Sequence, residues 1–255
     1  MKKIVLSFDD GRWDTFYNVL PILREYKIRA TVNIISKFIL HPEKFKLDNC
    51  KGVGAMTIEQ LKQCVDYGIE VGCHGAWHDN TINGIVANIK DFMEMGIPTK
   101  DIGFASPHSV INKDNNERLV QLIKNGTIMY IRSGIQIRER GFIYSFLTFV
   151  ESITHSKRLF YYLNKDSIIK VADKTLIPSV SIKRYTTNKQ IEYFIKKMDD
   201  DTSVVFTLHS ILKPCDEGRS GGHWYWDISK FEKLCSFLNS YDQCKVVTVK
   251  EILYV

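Results

Sequence analysis

The chain has 255 residues, 44% hydrophobic and 25% charged, the composition of a soluble globular protein that can bury a core without covalent staples. Its 35 Lys and Arg against 29 Asp and Glu leave a formal charge of +6. The basic residues are scattered, with no run longer than Lys2-Lys3 or Lys196-Lys197, which argues against the concentrated basic face of a nucleic-acid binder.

The first apolar run, IVLSF (4–8), reads as a buried strand. A helical pattern follows over 15–26, with Asp14 placed to cap it. ATVNII (30–35) is β-branched and strand-like. Thr57 opens a helix that Gly68 closes, and its apolar positions 58, 61, 64 and 65 share one face. IEVGCH (69–74) is the next strand, and residues 81–95 form a helix ending at Gly96. IGFAS (102–106), a helix over about 114–124 and the strand IMYIRS (128–133) continue the rhythm.

An aromatic-dense stretch around 134–180 breaks it and is expected to be an insertion packed over the barrel, or extra helices. A helix at 187–198, the strand VVFTLHS (204–210), a helix at 229–239 and the strand KVVTV (245–249) complete the chain. Alternating strands and helices predict an α/β fold, a parallel sheet or barrel with helices outside. With no Pro-, Gly- or Ser-rich linker and no internal repeat, a single domain over 1–255 is expected. The six cysteines have no C-x-x-C spacing and read as small buried thiols. No apolar run of ~18 residues suggests a membrane span, and too few apolar residues precede Ser7 for a signal peptide. A cytoplasmic protein is expected.

Ligands in parallel α/β folds bind at the C-terminal strand ends, and the unusual residues collect there. Asp9 and Asp10 end the first strand. His74 ends another, with His78 following in the loop HGAWH. Ser106, Pro107 and His108 follow a fourth strand, and His209 ends a fifth. An H-x-x-x-H spacing puts both imidazoles on one side of a helical turn. With one carboxylate they make the donor set of a hydrolytic zinc site that keeps a position open for water. Two adjacent aspartates allow one to ligate and the other to take a proton from water, whose pKa drops from ~15.7 to about 7 on zinc. Gly11 permits the turn that would bring both into one pocket. His209 is a candidate general acid, because an unperturbed imidazole titrates near ~6.5.

SFDDG, CHGAWHD, FASPHS and TLHS, in this order, resemble the motifs of the polysaccharide deacetylases of the NodB-homology type, carbohydrate esterase family 4. The resemblance runs from residue 4 to about 210. It implies a distorted (β/α)7 barrel and a hydrolase that removes N-acetyl, less often O-acetyl, groups from an acetylated sugar or glycan precursor. Asp9 would be the base and His209 the acid. Asp10, His74 and His78 would hold a divalent metal, Zn2+ first, with Co2+ or Ni2+ as alternatives. Pro107 and His108 would bind substrate, the His108 amide facing the oxyanion.

Trp224, in the aromatic tract GGHWYWD (221–227), is a candidate platform for a sugar face. Three positions depart from the motifs: Ala105 stands where the family has an arginine that orients the base, Arg12 where it has a proline, and Gly75 where it has Ser or Thr. Arg12, Arg132, Arg184 and Arg219 are the arginines that would fill the gap, and the sequence does not choose among them. Ala105 also motivates a rival reading, a carbohydrate-binding or regulatory protein that keeps metal without turnover. A third is a hydrolase of a non-carbohydrate amide.

Overall fold

Residues 4–8 are apolar on both sides, so they belong in the middle of a sheet covered on both faces. The computed structural model, which describes residues 1–45, 54–109, 113–133, 142–170, 173–213 and 224–253, puts them there. Strand β1 (Lys2–Phe8) pairs in parallel with β2 (Thr31–Ile34) on one edge and β7 (Ser203–Leu208) on the other. Its first half also pairs with β10 (Cys244–Val247). Beyond β2 lie β3 (Glu70–Cys73), β4 (Phe104–Ala105) and β5 (Ile131–Arg132), and beyond β7 lies β6 (Val180–Ser181).

Every pairing in this sheet is parallel, so all the C-terminal ends face one way. The sheet curls until its two ends meet. Arg132 bridges Ile177, with the Ile177 N–H donating to Ile131 O at 2.8 Å and the Ser133 N–H to Ile177 O at 2.9 Å. A short parallel pair, β8 (Ser210–Leu212) with β9 (Tyr225–Asp227), continues from the rim.

Helices α1 (Leu20–Glu25), α2 (Ser36–Leu40), α3 (Ile58–Tyr67), α4 (Ile82–Met95) and α5 (Lys113–Lys124) connect the early strands. Thr57 and Gln60 form a reciprocal capping box on α3, and Gly68 ends that helix at φ 97°, as Thr-x-x-Gln and a terminal glycine predict. The stretch after β5 holds two helices, α6 (Phe142–Thr154) and α7 (Lys157–Asn164). α7 packs Phe160 and Tyr161 on Phe194 of α8 (Asn188–Lys197). α6 leaves Phe142, Ile143, Phe146, Phe149 and Ile153 exposed. α9 (Ile228–Ser240) closes the chain against β1, its Phe231 edge-on to Phe8.

One expectation fails here. Residues 15–26 are not a single helix: a wide turn of π type spans Thr15–Val19 before α1, and Asp14 makes no capping hydrogen bond. Its carboxylate is drawn instead to Arg12 and to the Ile211 N–H. Several predicted strands are also shorter than their apolar runs, IMYIRS pairing only at Ile131–Arg132.

Strand alternation sorts the barrel interior into layers. Val5, Tyr130, Val205 and Val247 fill the end near the strand N-termini as one apolar cluster with Ile177 and Val249. Two residues further along each strand, the same face carries Ser7, Arg132 and Thr207. Two more steps reach Asp9 and His209. The interior thus passes from apolar to ionisable along its axis, as period-two alternation from one register requires. Cys64, Cys73 and Cys235 are buried free thiols, while Cys50 and Cys215 lie outside the described residues. Among the described residues, no helix is long and apolar enough to cross a membrane.

Candidate active site

Adjacent residues on a strand point to opposite faces, so Asp9 and Asp10 can share a pocket only if the backbone turns between them. It does. The Asp9 N–H still donates to Leu208 O, extending the β1–β7 ladder, whereas Asp10 and Gly11 have φ of 79° and 80°. The left-handed pair swings the Asp10 carboxylate back over the barrel mouth.

Asp9 is buried, and Arg132 grips it: Nη2 lies 2.7 Å from each carboxylate oxygen. Asn33 Nδ2 donates to Oδ1 at 2.8 Å. The guanidinium is itself held by Thr207 Oγ1 at 2.5 Å. Burial works to raise the Asp9 pKa, but Arg132, together with His74 and His209, outweighs it and holds the carboxyl down at about 2. The place of the missing motif arginine is therefore filled from the last strand before the insertion. Of the other candidates, Arg12 pairs with Asp10, Arg184 stacks over Tyr225, and Arg219 lies outside the described residues.

Asp10, His74 and His78 converge. Asp10 Oδ1 is 3.6 Å from His74 Nε2 and 3.9 Å from His78 Nε2, and one ligand atom from each residue falls within 4.8 Å of the others. Ligands at ~2.0–2.2 Å from a tetrahedral metal are about 3.4 Å apart, so the set fits a divalent ion. His74 Nδ1 lies 2.8 Å from Ala105 O, which assigns the proton to Nδ1 and turns Nε2 toward Asp10, the arrangement metal-ligating histidines use. Burial and the neighbouring His74 push His78 down to about 4, leaving it neutral and able to ligate at neutral pH.

His74 follows β3 and His78 lies in the loop, as expected, and a loop rather than a helical turn brings the pair together. Residues 74–80 form a tight loop, with His78 at φ 60°. A Cβ on Gly75 would lie 2.2 Å from Asp79 O, so the loop needs glycine where the motif has Ser or Thr. Asp79 accepts from the Trp77 and Thr81 N–H groups and pins the turn.

His209 follows β7 at the same rim. Burial lowers its pKa against the opposing pull of Asp10 and Asp9. Its Nδ1 has no hydrogen-bond partner among the described residues. Trp224 lies beside it, ring centroids 4.9 Å apart. Trp226, by contrast, is core, its Nε1 donating to Thr186 O; residues 221–223 of the same tract lie outside the described residues. Pro107 is buried, and His108 is exposed at φ 57° with its ring 4.7 Å from that of His78. All eight residues singled out from the sequence thus lie on the rim loops and strand ends of one barrel mouth. Arg132 is the one of the four candidate arginines that reaches Asp9, and Asn33, a polar residue inside an apolar strand, is the addition.

A curled parallel sheet with helices outside and this donor set at its C-terminal mouth defines an α/β half-barrel fold. Residues 1–121 match the family described as polysaccharide deacetylase. YxkH of Bacillus subtilis (strain 168), provisionally named a polysaccharide deacetylase, is 30% identical over 77 residues. That alignment covers 30% of this chain and spans about a quarter, 24%, of YxkH.

The fold of the whole chain is that of carbohydrate esterase family 4 structures. A family 4 acetyl xylan esterase from Clostridium thermocellum, solved with a cobalt ion, superposes with TM-score 0.52 at 14% identity, over 98% of this chain and 89% of that one. The peptidoglycan deacetylase PdaC of Bacillus subtilis gives 0.51 at 14% identity with the same coverage.

Proposed function

We propose that the protein is a metal-dependent hydrolase that removes N-acetyl groups from a sugar or glycan precursor. The observation that carries this reading is the Arg132–Asp9 pair beside the Asp10–His74–His78 set. A carbohydrate-binding protein without turnover would have no use for a base locked in place by a guanidinium, and Ala105, the residue that favoured that alternative, is compensated.

A divalent metal held by Asp10, His74 and His78 would polarise the acetyl carbonyl and acidify a water. Asp9 stays charged at every ordinary pH and stands ready to receive the water's proton. Its low pKa makes it a modest base, so its fixed position contributes more than its basicity. His209, whose Nδ1 has no hydrogen-bond partner among the described residues, would hand a proton to the departing amine. Trp224 would offer a ring to the apolar face of the sugar, and the His108 amide would face the oxyanion.

Acetate release from chitooligosaccharides, nucleotide sugars and lipid-linked precursors, with and without added Zn2+, tests the proposal. Zinc-dependent release from at least one is expected; release from none of them, or a protein that binds no divalent metal, would sink it. His74→Ala should lower metal affinity by more than the ~10–100-fold that loss of a ligand's hydrogen-bond partner costs, measured by metal titration of the stripped protein.

A further inference from the structure

Arg12 occupies the position of the motif proline, and its side chain is 0% exposed. A guanidinium taken out of water needs acceptors around it. Arg12 Nη1 lies 3.4 Å from Asp10 Oδ2, and its Nε 3.4 Å from Asp14 Oδ1. Asp14 is equally buried. Its Oδ2 accepts the Ile211 N–H at 2.7 Å, and its Oδ1 accepts Ser210 Oγ at 3.4 Å. Asn18 adds a second tie, donating Nδ2 to Ile211 O at 2.7 Å.

The two residues that follow His209 are therefore suspended from the loop that follows Asp10. The His209 ring has no such anchor of its own: Nδ1 is unpartnered among the described residues, and Trp224 touches it through ring contact. Asp14 and Asn18 hold the backbone of Ile211, two residues beyond the imidazole. Arg12 meets Asp10 at Oδ2, and Oδ1 is turned to His74 and His78.

We propose that Arg12 and Asp14 are positioning residues that tie the strand carrying His209 to Asp10, and so set the proton donor's place relative to the metal-binding carboxylate. This rests on the deacetylase reading for the role of His209, but not for the tie itself. The test compares Asp14→Ala and Asp14→Asn with the wild type in the zinc-loaded protein. The readouts are kcat and KM for acetate release, zinc affinity, and the imidazole NMR resonances of His209, His74 and His78.

A donor displaced by about 1 Å costs about 100-fold, so Asp14→Ala is expected to lower kcat by that order with KM nearly unchanged. The His209 resonances should move while those of His74 and His78 stay. Asp14→Asn, which keeps an acceptor for the Ile211 N–H, should fall between the two, and it carries the test alone if Asp14→Ala does not fold. An unmoved His209 resonance, or a loss confined to thermal stability with kcat intact, overturns the proposal. If the wild type releases no acetate, the functional reading fails, and the NMR comparison still decides the tie.

Discussion

Asp9→Asn is expected to abolish turnover while zinc remains bound. Asparagine preserves the shape of the carboxylate and can accept from Asn33 or Arg132, but it cannot take a proton from water. Loss of a general base lowers kcat by ~10²–10⁴-fold. Asp10, His74 and His78 are untouched, so zinc affinity should stay within a few-fold of wild type. The substitution also leaves the buried Arg132 guanidinium without its counter-charge, so a drop in melting temperature accompanies the loss of rate. Measuring kcat and zinc stoichiometry on the same preparation separates the two. Full activity in Asp9→Asn would refute the base assignment.

Arg132→Met should be the most destabilising single change in the site. It keeps the stem's volume and removes the charge, stranding the Asp9 carboxylate in a buried pocket, a situation that costs ~3–5 kcal/mol. The pH dependence has a definite sign. The wild-type Asp9 pKa is held at about 2, below the unfolded value near ~3.9. Its stabilising contribution, roughly 2–3 kcal/mol by linkage, is complete above pH ~4 and disappears as pH falls toward 2.

In the variant, burial acts unopposed by Arg132 and the Asp9 pKa rises, so ionising it as pH increases is unfavourable. The stability gap between the two proteins should widen from pH 3 to pH 7, and urea unfolding at several pH values reads it. A gap that is constant with pH would show that the guanidinium acts through packing alone. Arg132→Lys should recover part of the stability and little of the rate, because an ammonium cannot hold Asp9 through one nitrogen while a second, in the same rigid plane, is anchored on Thr207.

The chain's own order made much of this legible. Asp9, Asp10, His74 and His209 could be placed at one mouth because they end apolar runs, with His78 in the loop after His74, and parallel strands put such ends together. The capped helices α3, α4 and α8 were equally readable, since Thr at the start and Gly or a basic turn at the end are local signals. Arg132 was not assignable, because its partner is 123 residues away and only the closure of the sheet brings them together. The sign that could have singled it out is its place in IMYIRS, two residues from Tyr130 on the inward face.

Asp14 misled for the opposite reason. Its local setting is that of a helix cap, and a tertiary demand from Arg12 and Ile211 overrode it. The H-x-x-x-H spacing gave the right convergence by the wrong geometry, since a glycine-dependent loop brings the two rings as close as a helical turn would.

The seam between Ile131–Ser133 and Ile177 has a consequence for when the site comes into being. The three candidate metal ligands lie within the first 78 residues, on neighbouring strands joined by short-range connections. The base's anchor is delivered by the contact that closes the barrel, and contacts between residues far apart in the chain are slow to form. On the proposed function, the candidate metal ligands should come together during folding before Asp9 is oriented, so that hydrolysis would await the closing of the last gap in the sheet.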